Sequence, residues 1–316
     1  MSQIPVNPDA SPRARALLDD LCKTAGNGII TGQHTQTVPM EEVVYIKDKT
    51  GCMPLLQGFE LLSYSPNINY EDASKACLTE VYENRHTAEA ALKWARKTGG
   101  IVAMCWHWFS PVGGRDKAFY SEHTDFNADR VLEEGTPERE AFFRDMDVIA
   151  DVLRPFEQAD IPILWRPFHE ADGRWFWWGA RGDATGRELY KLMFEHYVNY
   201  KHLNNLLWVW NSPAKEGYPG DEYVDVISRD VYLKDGFMLT DYRAEYDELI
   251  ANTTDRKVAA LAEVGYIPDV EMLEKSRVPW AFYMTWSKEF CIGEQYNPVG
   301  HLQKMYQSDY SIKRKA

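Results

Sequence analysis

"IPILWRPFHEADGRWFWWGA", residues 161–180, opens as an aliphatic run and then turns polar and aromatic. Ile161, Ile163 and Leu164 suit a strand buried on both faces, the pattern of a parallel sheet. By His169 and Glu170 the character has changed, and Trp175, Trp177 and Trp178 follow at once. A strand that is greasy along its length and charged at its C-terminal end fits a parallel barrel, where chemistry gathers at that end.

Seven other runs share this form: 28–34, 53–61, 100–108, 205–212, 223–232, 257–266 and 279–287. Their ends read Gln33-His34, Glu60, Trp106-His107-Trp108, Trp210-Asn211, Asp230-x-Tyr232, Glu263 and Trp286. Helical patterns fall between them. One follows Ser11-Pro12, a cap and a first-turn proline. Another ends at Gly99-Gly100, and a third opens on Thr136-Pro137 with acids in its first turn. "TGRELYKLMFEHYVNYKH" and "VEMLEKSR" fill later gaps. Eight strands alternating with helices predict a single-domain α/β fold, a (β/α)8 TIM barrel over residues 1–316 with its core at about 28–290. A doubly wound open sheet is the structural alternative, but no G-x-G-x-x-G follows the first strand.

The 316 residues carry a net charge of −13, which disfavours a nucleic-acid partner and suits a neutral substrate. No apolar run reaches the roughly 18 residues of a membrane span. The N-terminus lacks a basic stretch followed by an apolar one, so no signal peptide is expected in it as written. Five scattered cysteines without C-x-x-C read as reduced thiols. Neither H-x-H nor H-E-x-x-H occurs, so no metal and no cofactor is expected. A monomer is expected.

Glu170 and Glu263 are the candidate catalytic pair. A lone strand-end glutamate reads first as solvated or arginine-paired. Two on opposite sides of a barrel can instead face each other across its mouth, and about 5–5.5 Å between them suits a retaining glycosidase. Glu170, beside aromatic bulk, is expected to be pushed toward its protonated form, while Arg166 holds Glu263 ionised. Flat indoles give a sugar's apolar face a rigid contact. Trp175, Trp177, Trp178, Trp210 and Trp286 are therefore read as a group of which at least two touch ligand. His107 and His169 are expected to bond sugar hydroxyls or orient a carboxylate.

At these residues the chain resembles glycoside hydrolase family 26, the β-mannanase-type enzymes of the 4/7 barrel clan. "RPFHEADGRWFWWG" looks like that family's acid/base segment, "AEVG" its nucleophile and "RDVY" its Asp-x-Tyr. The resemblance runs from about residue 28 to 290. It implies Glu170 as acid/base, Glu263 as nucleophile, and Asp230 and Tyr232 flanking the nucleophile. It places Trp175 near the cleaved sugar, and His169 where the clan usually has asparagine. His107 and Trp286 come from "CWHW" and "MTW". The implied activity is retaining hydrolysis of β-1,4-mannosidic bonds in mannan, glucomannan, galactomannan or manno-oligosaccharides. Mixed-linkage β-glucan or β-1,3-xylan is the alternative within the family, and a non-catalytic carbohydrate-binding barrel the alternative outside it. The long stretch 112–138 after the third run is expected to form a wall of the cleft.

Overall fold

Eight parallel strands close on themselves in the computed structural model, which describes residues 3–36, 39–233 and 236–315. Residues 1 and 316, the bounds set for the domain, lie outside the described residues. The ten strands in chain order are β1 (Ile29–Thr35), β2 (Cys52–Pro54), β3 (Leu56–Glu60), β4 (Ile101–Cys105) and β5 (Ile163–Arg166). β6 (Leu206–Asn211), β7 (Val226–Val231), β8 (Val258–Val264), β9 (Trp280–Thr285) and β10 (Ser311–Lys315) follow. The barrel order is β1-β3-β4-β5-β6-β7-β8-β9, and β9 pairs with β1 from Ile30↔Phe282 to Gln33↔Thr285. That closure excludes the open doubly wound sheet.

The expected strand 53–61 is two strands. Leu56–Glu60 is the barrel strand, while Cys52–Pro54 pairs antiparallel with β10 outside it. β10, a charged "SIKRK", adds to the sheet beside β1 at Ile29↔Ser311.

The helices are α1 (Pro12–Thr24), α2 (Glu41–Thr50), α3 (Lys75–Glu83), α4 (Thr87–Thr98) and α5 (Pro137–Gln158), then α6 (Asp183–Glu195), α7 (Arg243–Ile250), α8 (Val270–Ser276) and α9 (Val299–Gln307). Their ends follow the local chemistry. Ser11 Oγ accepts the Ala14 amide above Pro12, Thr136 caps α5, and Gly99 ends α4 at φ 65°. No helix among the described residues is long and apolar enough to cross a membrane.

The core has two layers. Ile30, Leu56, Ala103, Leu164, Ala260 and Phe282 fill the barrel interior together with Leu17, Leu18 and Leu21 of α1. α1 touches both β6 and β9, strands that are not neighbours, so it crosses the N-terminal end of the barrel and plugs it. Burying each leucine, isoleucine or phenylalanine among them stabilises the fold by about 1.5–3 kcal/mol. The sealed end leaves the C-terminal mouth as the open one.

Candidate active site

The two acids reach the mouth through breaks in regular strand geometry. After Arg166 the chain places Phe168 at φ 51° and Glu170 at φ 52°. Left-handed backbone at residues other than glycine costs on the order of 1 kcal/mol or more and persists where surroundings hold it. Here Asn211 Oδ1 accepts the Glu170 amide at 2.8 Å, and Phe168 lies in the aromatic layer over Phe142. On β8, Ala260 and Ala262 face the interior and Val264 the outer layer. Simple alternation would send Glu263 outward. The register shift between Arg229 and Asp230 sets Asp230 opposite Glu263, and both acids reach the mouth.

Glu170, Asp230 and Glu263 each bring an oxygen within 4.8 Å of the others. Arg166 ties two of them together. Its Nη1 donates to Asp230 Oδ2 at 2.7 Å and its Nη2 donates to Glu263 Oε1. Tyr232 donates its hydroxyl to Glu263 Oε2 at 2.8 Å, and Asn211 donates to Asp230 Oδ1 at 2.8 Å. Glu170 Oε2 accepts from Trp175 Nε1 at 2.8 Å. The acids open into a cavity of about 390 Å³ lined by His107, Phe119, Tyr120, Phe176, Tyr232 and Trp286, among others. A larger cavity of about 510 Å³ lies at the other end beside α1, but Asp20 is its one acid among the described residues.

The acids are poised in opposite senses. Burial, and after it repulsion from Glu263, pushes the Glu170 carboxyl up to about 7. Burial alone would raise Glu263 too. Arg166, then His34 and His107, outweigh it and hold Glu263 below the usual carboxylate range. One acid thus keeps its proton up to about pH 7 while its neighbour is ionised, the separation that double displacement requires.

The histidines form the floor. Glu60 accepts the His107 amide on Oε1 and the His107 ring Nδ1 on Oε2, both at 2.7 Å. His107 Nε2 then meets His169 Nε2 at 3.1 Å. Burial lowers His107, but Glu60, with Glu263 and Glu80 behind it, outweighs burial and raises it. His169, buried next to His107 and Arg166, falls well below its usual value and is neutral. His34 leans on Trp286 at 4.8 Å and bonds the Ala262 carbonyl at 3.1 Å, bracing the strand that carries Glu263. Gly58 lies against that ring, where a Cβ would stand 2.4 Å from His34 Nδ1.

The model of glycosyl hydrolase family 26 matches residues 6–316. The chain belongs to glycosyl hydrolase family 26. A mannan endo-1,4-β-mannosidase of Thermothelomyces thermophilus is 36% identical over 97% of the chain, and mannan endo-1,4-β-mannosidase A of a Piromyces species is 32% identical over 95%. The chain spans 61% and 48% of those two relatives' lengths. Among solved structures, the Podospora anserina GH26-CBM35 β-(1,4)-mannanase superposes with a TM-score of 0.87 at 34% identity, covering 98% of this chain and 68% of that one. A β-mannanase from a symbiotic protist of the termite Reticulitermes speratus, complexed with gluco-manno-oligosaccharide, gives 0.86 at 31%, covering 98% and 96%.

In this family 26 barrel, Arg166, His107, His169, Asp230, Tyr232, Trp175 and Trp286 gather around the acids. Trp178 and Trp210, expected as substrate contacts, do not, and this corrects that expectation; of the five indoles read as a group, Trp175 and Trp286 are the two beside the acids. Trp177, Trp178 and Trp210 are at most 1% exposed. Trp178 stacks under Phe176 at 4.5 Å and donates Nε1–H to the His169 carbonyl at 2.9 Å. Trp210 packs edge-on against Tyr190 at 5.1 Å behind β6. The indoles exceed what the mouth can hold, so most build the layer that supports it. The segment 112–138 does form a wall, through Lys117, Phe119 and Tyr120. Asn211, Glu80 and Lys288 were not anticipated. The Trp-Asn end of β6 is the one signal that pointed to Asn211.

Proposed function

We propose that the chain is the catalytic domain of a retaining glycoside hydrolase that cleaves β-1,4-mannosidic bonds. One domain spans 1–316, its core at about 28–290. The observation that carries this reading is the pair Glu170 and Glu263, with nearest oxygens within 4.8 Å and their carboxyl groups shifted in opposite directions by their surroundings. That spacing is close to the roughly 5–5.5 Å of retaining pairs and short of the roughly 6.5–9.5 Å of inverting ones, which supports retention.

Glu263 Oε attacks the anomeric carbon as Glu170 gives its proton to the departing glycosidic oxygen. The C–O bond to the leaving sugar breaks and a glycosyl ester on Glu263 forms. Glu170, now ionised, takes a proton from water, whose oxygen displaces Glu263 and restores both acids. Arg166 and Tyr232 hold the nucleophile's two oxygens in place. Trp286 and Trp175 offer ring faces to sugar, and His107 and His169 offer ring nitrogens. The names borne by the relatives favour mannan over mixed-linkage β-glucan or β-1,3-xylan.

The test is hydrolysis of mannan, glucomannan, lichenan and β-1,3-xylan by the purified chain, with the first-formed anomer read by NMR. Release of β-anomers from mannan supports the proposal. Preference for lichenan or xylan, or first release of α-anomers, would overturn the corresponding part.

A further inference from the structure

The acids give the cleft a direction. Trp175 is bonded to the acid, Glu170. Trp286 adjoins the nucleophile, its amide donating to the Val264 carbonyl at 3.2 Å. The leaving sugar therefore points toward Trp175, and the sugar attacked by Glu263 points toward Trp286 and the residues after it. Ser287, Lys288 and Glu289 follow Trp286 in the cavity lining, and Glu80 of α3 lines the same cavity.

α3 is fastened there twice. Glu80 pairs with Lys117 of the loop after β4, and Glu83 pairs with Lys288 of the loop after β9. Glu80 and Glu83 are three apart and share a helix face. Partly exposed ion pairs contribute only about 0–1 kcal/mol each, so they would not hold this arrangement alone. The backbone does more. Asp116 stands at φ 44°, and its Oδ1 accepts the amide of Ser74, the α3 cap, at 2.9 Å. Lys288 stands at φ 55°, and its amide donates at 3.0 Å to Oε1 of Glu42, which is 1% exposed. Left-handed backbone thus occurs beside or at both clamping lysines, and such backbone persists only where neighbours fix it. Three loops are locked into one rim. The cavity they bound, about 390 Å³, is near the small end of the roughly 300–1,000 Å³ range for ligand sites.

We infer that α3, Lys117 and Lys288 form an end wall on the glycone side, which limits the sugar rings held beyond the cleaved bond and makes short glycone pieces the main product. This rests on the mannan-cleaving reading.

The experiment is hydrolysis of mannohexaose fluorescently tagged at its reducing end, so that untagged products are glycone pieces. The variants are Glu83→Ala with Lys288→Gly, Lys117→Ala, and Lys288→Arg. Glycine accepts φ 55° without strain, so that change removes only the side chain. The wild type should release mostly short untagged products. The double variant and Lys117→Ala should each raise the ratio of long to short glycone products by about tenfold, the scale of one hydrogen-bonded contact. Lys288→Arg should keep the wild-type pattern. Mostly long glycone products from the wild type, or unchanged ratios in cleaving variants, would overturn the wall alone. No cleavage by the wild type would overturn the mannan reading and the wall with it.

Discussion

Trp175 donates its indole Nε1–H to Glu170 Oε2 across 2.8 Å, so a half-exposed ring holds the Glu170 carboxyl. Burial and Glu263 push Glu170 up to about 7, and the Trp175 hydrogen bond pulls the other way by favouring the anion. Trp175→Phe keeps a ring but removes the donor. The Glu170 pKa then rises, and the basic limb of kcat/KM, which reports loss of the acid's proton, moves to higher pH by about one unit. The acid limb, set by Glu263, stays where it is. A pH–rate profile of wild type and variant checks both limbs. A basic limb that does not move would show that this contact does not tune the acid.

The two acids should fail differently. Glu263→Ala removes the group that forms the glycosyl ester, and turnover should fall by on the order of 10⁴ or more. Glu170→Ala removes proton transfer only, and should cost about 10²–10⁴ on natural substrate. A dinitrophenyl mannobioside needs no proton to leave. Glu170→Ala should therefore give a stopped-flow burst of dinitrophenol followed by slow release, and Glu263→Ala no burst. The reverse pattern would exchange the roles.

Much of this was legible in the chain before any coordinates. The strand ends announced a polar mouth because a parallel barrel buries both strand faces and spends its polar residues at one end. Glu60, His107, Glu170 and Glu263 followed from that alone. What the sequence does not show is the irregular register at β8 that turns Glu263 toward the mouth. Composition carries no depth, so it does not separate Trp175 and Trp286 from Trp178 and Trp210, which are packing residues. α3 was missed since "KACLTEVYE" is short and buries only Cys77 and Val81. Its partners Lys117 and Lys288 lie far from it in sequence.

The raised pKa of Glu170 has a cost in stability. Folded, the carboxyl titrates near 7, above the ordinary value of 4.5. The unfolded chain then binds fewer protons between those values, so the group's contribution is full below about 4.5 and is lost as pH rises through 7. Glu170→Gln imitates the protonated form at every pH. It should melt about 2–5 °C above wild type at pH 8 and show no such gain near pH 4. Thermal unfolding at the two pH values decides it. An equal gain at both would mean that the carboxyl is not destabilised when ionised in the fold.

The division between supporting and contacting tryptophans can be tested by pairing one of each. Trp178 is fully buried, and its Nε1–H satisfies the carbonyl of His169, the residue just before the acid. Trp178→Phe keeps most of the ring but leaves that carbonyl unpaired, at a cost of about 1–3 kcal/mol. Melting temperature should drop while KM stays within about twofold, since no sugar contact is lost. Trp286 is only partly buried and lines the cavity between His34 and Ser287. Trp286→Ala removes a ring face at the attacked sugar, so kcat/KM should fall by about 10–100-fold, with a small change in melting temperature. Thermal melts and kcat/KM on mannohexaose, measured on both variants, separate the two roles. If Trp178→Phe lost kcat/KM as heavily as Trp286→Ala at unchanged stability, Trp178 would be a ligand contact after all, reached by a rearrangement of Phe176.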